Sequence, residues 1–458
     1  MSERHRRAPR SLARLIAAST AAVVTATALT GCAGFGGTGG GTDSLNVLMV
    51  NNPQMVDIQK LTDQYFTKKT GIKVNYTVLP ENDVRDKISQ ELSSQAGVYD
   101  ISTISNYEVP FYAKAGWLAP LSSYVAADHS FDQSDIFPGM TKSLSADGKI
   151  YAEPFYGESS FLMYRKDVFA AKGLTMPAHP TWPQVANLAA KVDNAKPGLR
   201  GICLRGQVGW GQVFAPLTTV VNTFGGTWFD KNWNPQVNSP AFREAVNFYV
   251  NLVRRHGEAG APQAGFTECL NDLEQGKAAM WYDATSAAGS LEASGSPVAG
   301  KIGYVAAPVV KTKTSGWLYA WSWAIEKASK KKDNAWKFIS WASSKDYENL
   351  VGSKIGWTSV PAGKRISTYE NANYVKAARA FSAPTKAAIL SADPNNPGVQ
   401  PRPVPGIQFM DFPEFSALAT TVSQYISTAI AGQLSVDSAL SQGQEVAKRD
   451  TKSYRSSS

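Results

Sequence analysis

The residues of this chain whose types and spacing could do chemistry are three carboxylates, a set of tryptophans and one arginine in a glycine-rich loop. Glu153, Glu158 and Asp283 could supply the pair of acids that flanks a sugar bond in glycoside hydrolysis. Hydrogen bonding and capping are the commoner roles of such acids. Twelve Trp is a high count, and Trp210, Trp228, Trp281, Trp317, Trp321, Trp323 and Trp357 fall near predicted strand ends or in loops. A flat indole pairs with the C–H face of a sugar or polyol, while acids, amides and Arg satisfy the hydroxyls. Core packing is the alternative for each of them, and Trp336 and Trp341, sharing a helix face, are assigned to it. Trp210 differs because it lies in Arg205-Gly206-Gln207-Val208-Gly209-Trp210-Gly211, where glycine on both sides allows close approach of backbone to a ligand.

Other chemistries find little support. His129, His179 and His256 lack the H-x-x-x-H spacing of a zinc site and sit in predicted loops or helix ends. There is no G-x-S-x-G elbow and no C-x-x-C. Gly295 to Lys301 mimics a phosphate loop, but Ile302 stands where Ser or Thr is required, and a strand rather than a helix follows. Asp393 to Gly398 resembles a calcium loop only until its twelfth position, which is Val404, so a Pro-rich surface loop is the better reading. No catalytic residue, metal or cofactor is therefore expected. A secreted, lipid-anchored glycoside hydrolase is the alternative function.

The elements that must position these residues alternate. Leu45 to Val50 predicts a strand, Ile58, Leu61, Tyr65 and Phe66 mark a helix ending at Gly71, and Ile72 to Val78 alternates as a second strand. Val84, Ile88 and Leu92 give a helix stopping at Gly97, and Tyr99 to Ile104 is a third strand. This β-α-β-α-β order opens an α/β sheet whose ligands lie beyond the strands' carboxyl ends, at Asn51, Asn52, Ser105, Asn106 and Tyr107. Thr181-Trp182-Pro183-Gln184 is a capping box, and Ser239-Pro240 opens a helix that Gly257 closes. Strands follow at Ala278 to Tyr282, Lys301 to Val305 and Leu318 to Ile325, then a helix through Trp336 and Ile339 and a mostly helical tail from about Asn371.

The beginning of the chain concerns location. Arg4, Arg6, Arg7, Arg10 and Arg14 precede a charge-free run from Leu15 to Leu29, the pattern of a secretory signal. Cys32 directly after Leu29-Thr30-Gly31 resembles the bacterial lipobox, which implies a lipidated cysteine and an anchor on the outer face of a membrane. Residues 1–31 are thus expected to be removed, and residues 32–43, nearly all Gly, Thr and Ala, to form a flexible tether. The Arg6-Arg7 pair leaves the export route, Sec or twin-arginine, open. The 458 residues are 43% apolar and 18% charged, enough for two or three compact units. The formal charge is +9; residues 1–31 hold five Arg and one Glu, and removing their +4 leaves +5, spread thinly enough to disfavour nucleic acid. Outside the cell, Cys203 and Cys269 read as one disulfide, with two separate buried thiols as the alternative.

Against this background the chain resembles the bacterial extracellular solute-binding proteins of the family 1 type, receptors of sugar importers driven by ATP-binding cassettes. The resemblance covers essentially the whole chain after the tether. It is carried by Gly276 to Asp283, by Phe161 to Asp167 and by the Ala335 to Ile339 helix. Gly201 to Gly206, Thr267 to Leu270 and Trp281 to Thr285 are similar to the branch that takes up sorbitol, mannitol and related alditols. Both cysteines fall in these segments, which strengthens the disulfide expectation. The resemblance implies a type II periplasmic-binding-protein-like α/β fold, two lobes with the ligand between them. Lobe one would hold residues 44–157 and 284–330, and lobe two residues 158–283 and 331–458 with the C-terminal helices. The crossings would lie near Tyr156-Gly157-Glu158 and near Asp283. It also implies a non-enzymatic receptor that captures a neutral polyol or sugar by closure of the lobes and, as a monomer, delivers it to membrane permease subunits. On that basis Arg205, Asp283 and Glu158 are expected to bind ligand hydroxyls, with Asn52, Asn106 and Gln408 as further partners. Trp210, Trp281 and Trp321 would be the platforms, backed by Tyr156 and Phe409.

Overall fold

The structure is a computed structural model that describes residues 44–455. The expected signal segment, the tether and Cys32 lie outside the described residues. Among the described residues no helix is long and apolar enough to cross a membrane.

Two sheets organise the chain. The first contains β1 (Ser44–Val50), β2 (Lys73–Leu79), β3 (Ile101–Ser105), β4 (Ala152–Glu158) and, later in the chain, Tyr319–Ile325. The second contains β5 (Ser160–Arg165), β6 (Met280–Ala284) and β7 (Ile302–Ala306), which makes Tyr319–Ile325 β8. The first sheet runs β2-β1-β3-β8-β4, and the second runs β6-β5-β7. Strand β1 is parallel to β2 and β3, whereas β8 is antiparallel to β3 and β4. Parallel strands need crossover helices on the sheet faces, and Pro53–Thr62 and Glu81–Ser94 are those crossovers. The expected two-lobed α/β architecture is the one observed.

The lobes are joined where β4 runs into β5 with only Ser159 between them. Gly157 lies in this crossing, and a Cβ there would stand 2.3 Å from the Gly363 carbonyl oxygen, so the backbones meet too closely for any side chain. Thr285, after β6, returns to the same point: its N–H donates to Ser159 O at 2.8 Å, and Ser159 N–H donates to its Oγ1 at 3.1 Å.

Three expectations need correction. Strand β7, placed by the sequence in the return to lobe one, pairs along its length with β5 in the second sheet; the chain rejoins the first sheet only at β8. The Lys332–Ala342 helix, assigned to lobe two, packs on the first sheet through Phe338, whose ring lies 5.5 Å from both Phe66 and Trp323. Burial of that aromatic face decides its side. The Glu81–Ser94 helix ends on Gln95, at φ 52°, and not at Gly97. Cys203 and Cys269 are joined as a disulfide, with Cα atoms 5.5 Å apart.

Candidate ligand-binding site

A narrow cavity between the lobes gathers residues from segments far apart in the chain. Asn52 comes from the loop after β1, Glu81 and Arg85 from the first turns of the helix after β2, and Glu158 from the end of β4. Arg205 comes from the loop after Cys203, Trp321 and Tyr319 from β8, and Gln408 and Phe409 from the tail. Strand ends supply most of the wall because parallel strands and their crossovers leave that edge of the sheet uncovered. The tail reaches it through Gly406, at φ +125°, where a Cβ would lie 1.9 Å from Phe409 O. Only glycine permits that turn.

Arg205 is held as a fork. Its Nε donates to Asp283 Oδ2 at 2.7 Å and its Nη2 to Asp283 Oδ1 at 2.6 Å, while Nη1 donates to Gly211 O at 3.0 Å. Burial opposes the guanidinium charge, but Asp283 outweighs it and holds the group's pKa above its ordinary range. Asp283 is fully buried. It also accepts from Trp281 Nε1 at 3.1 Å and from the Ala284 N–H at 2.7 Å. Arg85, only 5% exposed, is the counterpart from the first lobe. Its Nη2 donates to Glu81 Oε1 at 3.0 Å and to Tyr319 Oη at 2.7 Å. The guanidinium carbon sits 4.1 Å from the Trp210 ring and 4.7 Å from the Trp321 ring, within cation–π range. Glu158 accepts from Ser286 Oγ at 2.5 Å, yet burial pushes its carboxyl up to about 8, so near neutral pH it is mostly protonated.

Six of the eleven expected ligand residues line this cavity: Asn52, Glu158, Arg205, Trp321, Gln408 and Phe409. The other five stand behind or beside it. Asp283 lies beneath, with both oxygens engaged by Arg205. Trp281 is fully buried against Phe266, 5.4 Å between centroids, so it offers no open face. Tyr156 receives the Asn52 amide, Nδ2 to Oη 2.7 Å. Asn106 Oδ1 accepts from the Ala320 N–H at 2.9 Å and faces a neighbouring groove. Trp210 forms the wall of another groove, with Phe409 edge-on at 4.7 Å. Sequence reasoning missed Glu81, Arg85 and Tyr319. The signal that could have found the first two was their position just after a strand's carboxyl end.

The lobes touch across the cleft. Asn82 Nδ2 donates to Val208 O at 2.9 Å, Tyr107 Oη donates to Phe412 O at 3.3 Å, and Arg205 Nη1 lies 3.8 Å from Glu81 Oε2. Among the described residues Cys203, Glu258 and Cys269 have metal-ligand spacing, but the two sulfurs are bonded to each other and neither is a free thiolate.

Residues 52–349 match the family model described as bacterial extracellular solute-binding protein. A mannitol-binding protein of Pseudomonas aeruginosa is 40% identical over 415 residues, which is 90% of this chain and 94% of that protein. This chain belongs to the bacterial extracellular solute-binding protein family. The erythritol/L-threitol-binding protein of Mycolicibacterium smegmatis is also similar, 28% identical over 67% of this chain and 68% of its own length. The crystal structure of a family member from Agrobacterium vitis, with bound D-mannitol, superposes with a TM-score of 0.87 at 44% identity, covering 90% of this chain and 98% of that one. Family and fold are those of non-catalytic solute receptors that act outside the cytoplasm.

Proposed function

We propose that this family member is the receptor of an ATP-binding-cassette importer for a neutral polyol, with an alditol such as mannitol as its ligand. The observation that carries the reading is the pair Arg85 and Arg205, one from each lobe, buried on the same cavity and each backed by carboxylate. Paired in this way they donate strong hydrogen bonds to hydroxyl oxygens without offering a net positive charge to an anion. Trp321 and Phe409 supply apolar surface for a carbon chain, and Glu158 in its protonated form both donates and accepts. The two relatives and the solved structure that carry alditols in their names support the same ligand class.

Ligand enters while the lobes are apart, and closure follows because only the closed form makes contacts from both. Flexure falls at Ser159 and Thr285, and the disulfide, lying within one lobe, does not oppose it. A lipid on Cys32 would hold the receptor near its permease as a monomer, the tether giving it reach. The test is a thermal-shift and calorimetry panel of alditols, monosaccharides and disaccharides. Mannitol at a hundred times its Kd is expected to raise Tm by about 3 °C. A panel in which no alditol shifts Tm, or in which a carbohydrate is hydrolysed, overturns the reading.

A further inference from the structure

Beside the ligand cavity runs a second, larger space of about 770 Å³. The Glu81–Ser94 and Val109–Lys114 helices form one side of it and the Phe415–Ile430 helix the other, so both lobes contribute. Its lining is rich in aromatic rings. Trp210 packs 5.1 Å from Tyr107, Phe111 packs 5.2 Å from Tyr107, and Tyr112 lies 5.4 Å from Trp117. Phe111 and Trp117 are only half-buried. Polar groups stand among the rings. Glu108 Oε2 accepts from the Ser105 N–H and Oγ at 2.9 and 2.7 Å, while its Oε1 has only a long contact, 3.4 Å from Tyr112 Oη.

Arg85 is common to this groove and to the ligand cavity. Its Nε and Nη1 have no hydrogen-bond partner, although the side chain is 5% exposed and Nη1 lies 3.8 Å from Glu108 Oε2. Buried guanidinium donors are rarely left unpaired, and a ligand oxygen would satisfy them. A purely aromatic groove would suit any apolar group. Ring faces interleaved with a carboxylate and an arginine suit a ring that carries hydroxyls.

We infer that the groove is a subsite for a pyranose ring joined to the polyol, so that the receptor takes glycosyl-alditols as well as free alditols. This rests on the polyol reading above. The polyol half occupies the inner cavity, the sugar ring lies against Phe111 and Trp117, and the bridging oxygen meets Arg85, the side chain common to both linings.

The test is calorimetry on the full chain with D-mannitol and with 1-O-α-D-glucopyranosyl-D-mannitol. The glucosylated ligand is expected to bind about tenfold more tightly. Phe111→Ala, Trp117→Ala and Ala417→Trp should each remove that advantage while leaving the mannitol Kd within about twofold. Ala417 is an exposed helix residue at the groove, so the added indole blocks the space without disturbing the core, and the mannitol Kd reports folding of every variant. Glucosylmannitol binding no more tightly than mannitol, or an advantage that survives all three substitutions, overturns the subsite with the polyol reading intact. Failure to bind mannitol overturns both.

Discussion

Replacing Asp283 by Ala should be among the most damaging single changes to this receptor. The carboxylate is fully buried and takes four hydrogen bonds: two from Arg205, at 2.6 and 2.7 Å, one from the Ala284 N–H at 2.7 Å and one from Trp281 Nε1 at 3.1 Å. Without it Arg205 keeps Gly211 O at 3.0 Å, Gln212 Oε1 at 3.4 Å and a distant Glu81 at 3.8 Å, and is otherwise a buried cation. Removing one partner of a buried pair costs about 3–5 kcal/mol. A Coulomb figure of about 4 kcal/mol at 4 Å and an effective dielectric of 20 agrees in size. That is a large share of a net stability of about 5–15 kcal/mol. The contrast is Arg205→Met with Asp283→Leu, which removes both charges and takes these partners only from neutral groups, the Trp281 and Ala284 N–H and the Gly211 carbonyl. The double variant should fall within about 2 kcal/mol of wild type. Equilibrium unfolding in urea reads both, and calorimetry should show alditol binding lost in both, because neither presents a correctly held guanidinium. A loss below about 1 kcal/mol for Asp283→Ala, or a double variant no more stable than the single, would refute the reasoning.

Glu158→Gln should keep alditol affinity within about threefold at pH 7, because the protonated acid and the amide both donate and accept, while Glu158→Ala should cost about tenfold or more. Calorimetry across pH 7–9 should show the wild-type affinity change as the carboxyl, raised to about 8, ionises, and Glu158→Gln should not follow it. Glu153 is fully buried with neither carboxylate oxygen hydrogen-bonded, and burial pushes it from 4.5 up to about 8. Its folded pKa is the higher one, so its contribution is present at low pH and is lost as pH rises from about 4.5 through about 8. Glu153→Gln should therefore flatten the decline of stability in that window by about 1 kcal/mol per pH unit, measured by urea unfolding at each pH. Replacing Cys203 and Cys269 together by Ala opens a loop of 66 residues and should cost about 4 kcal/mol in unfolding experiments. Alditol affinity should change little, since the bond lies within one lobe.

Much of the architecture was legible because hydrophobic periodicity is local. Strands β1, β2, β3 and β8, the capping box at Thr181 and the Pro240–His256 helix all stand where the apolar spacing and the caps placed them. The Phe214–Phe224 helix was not read, and all eleven of its residues are buried: a helix covered on every side has no amphipathic stripe to betray it.

The chain's own order of residues determined the α/β class, the family resemblance that implied two lobes, and the kind of groups, arginine, acid and indole, that line the cavity between them. Tertiary structure alone decided which of them share a cavity. It sent Trp281 and Asp283 beneath Arg205, turned Trp210 toward an outer groove, and brought Glu81 and Arg85 inward from what reads as an ordinary helix start. The physical reason is that pattern records burial along one element, whereas a site between lobes depends on which strand ends meet, and that is fixed by pairing between residues far apart in the chain: β8 with β3, and β4 with β8.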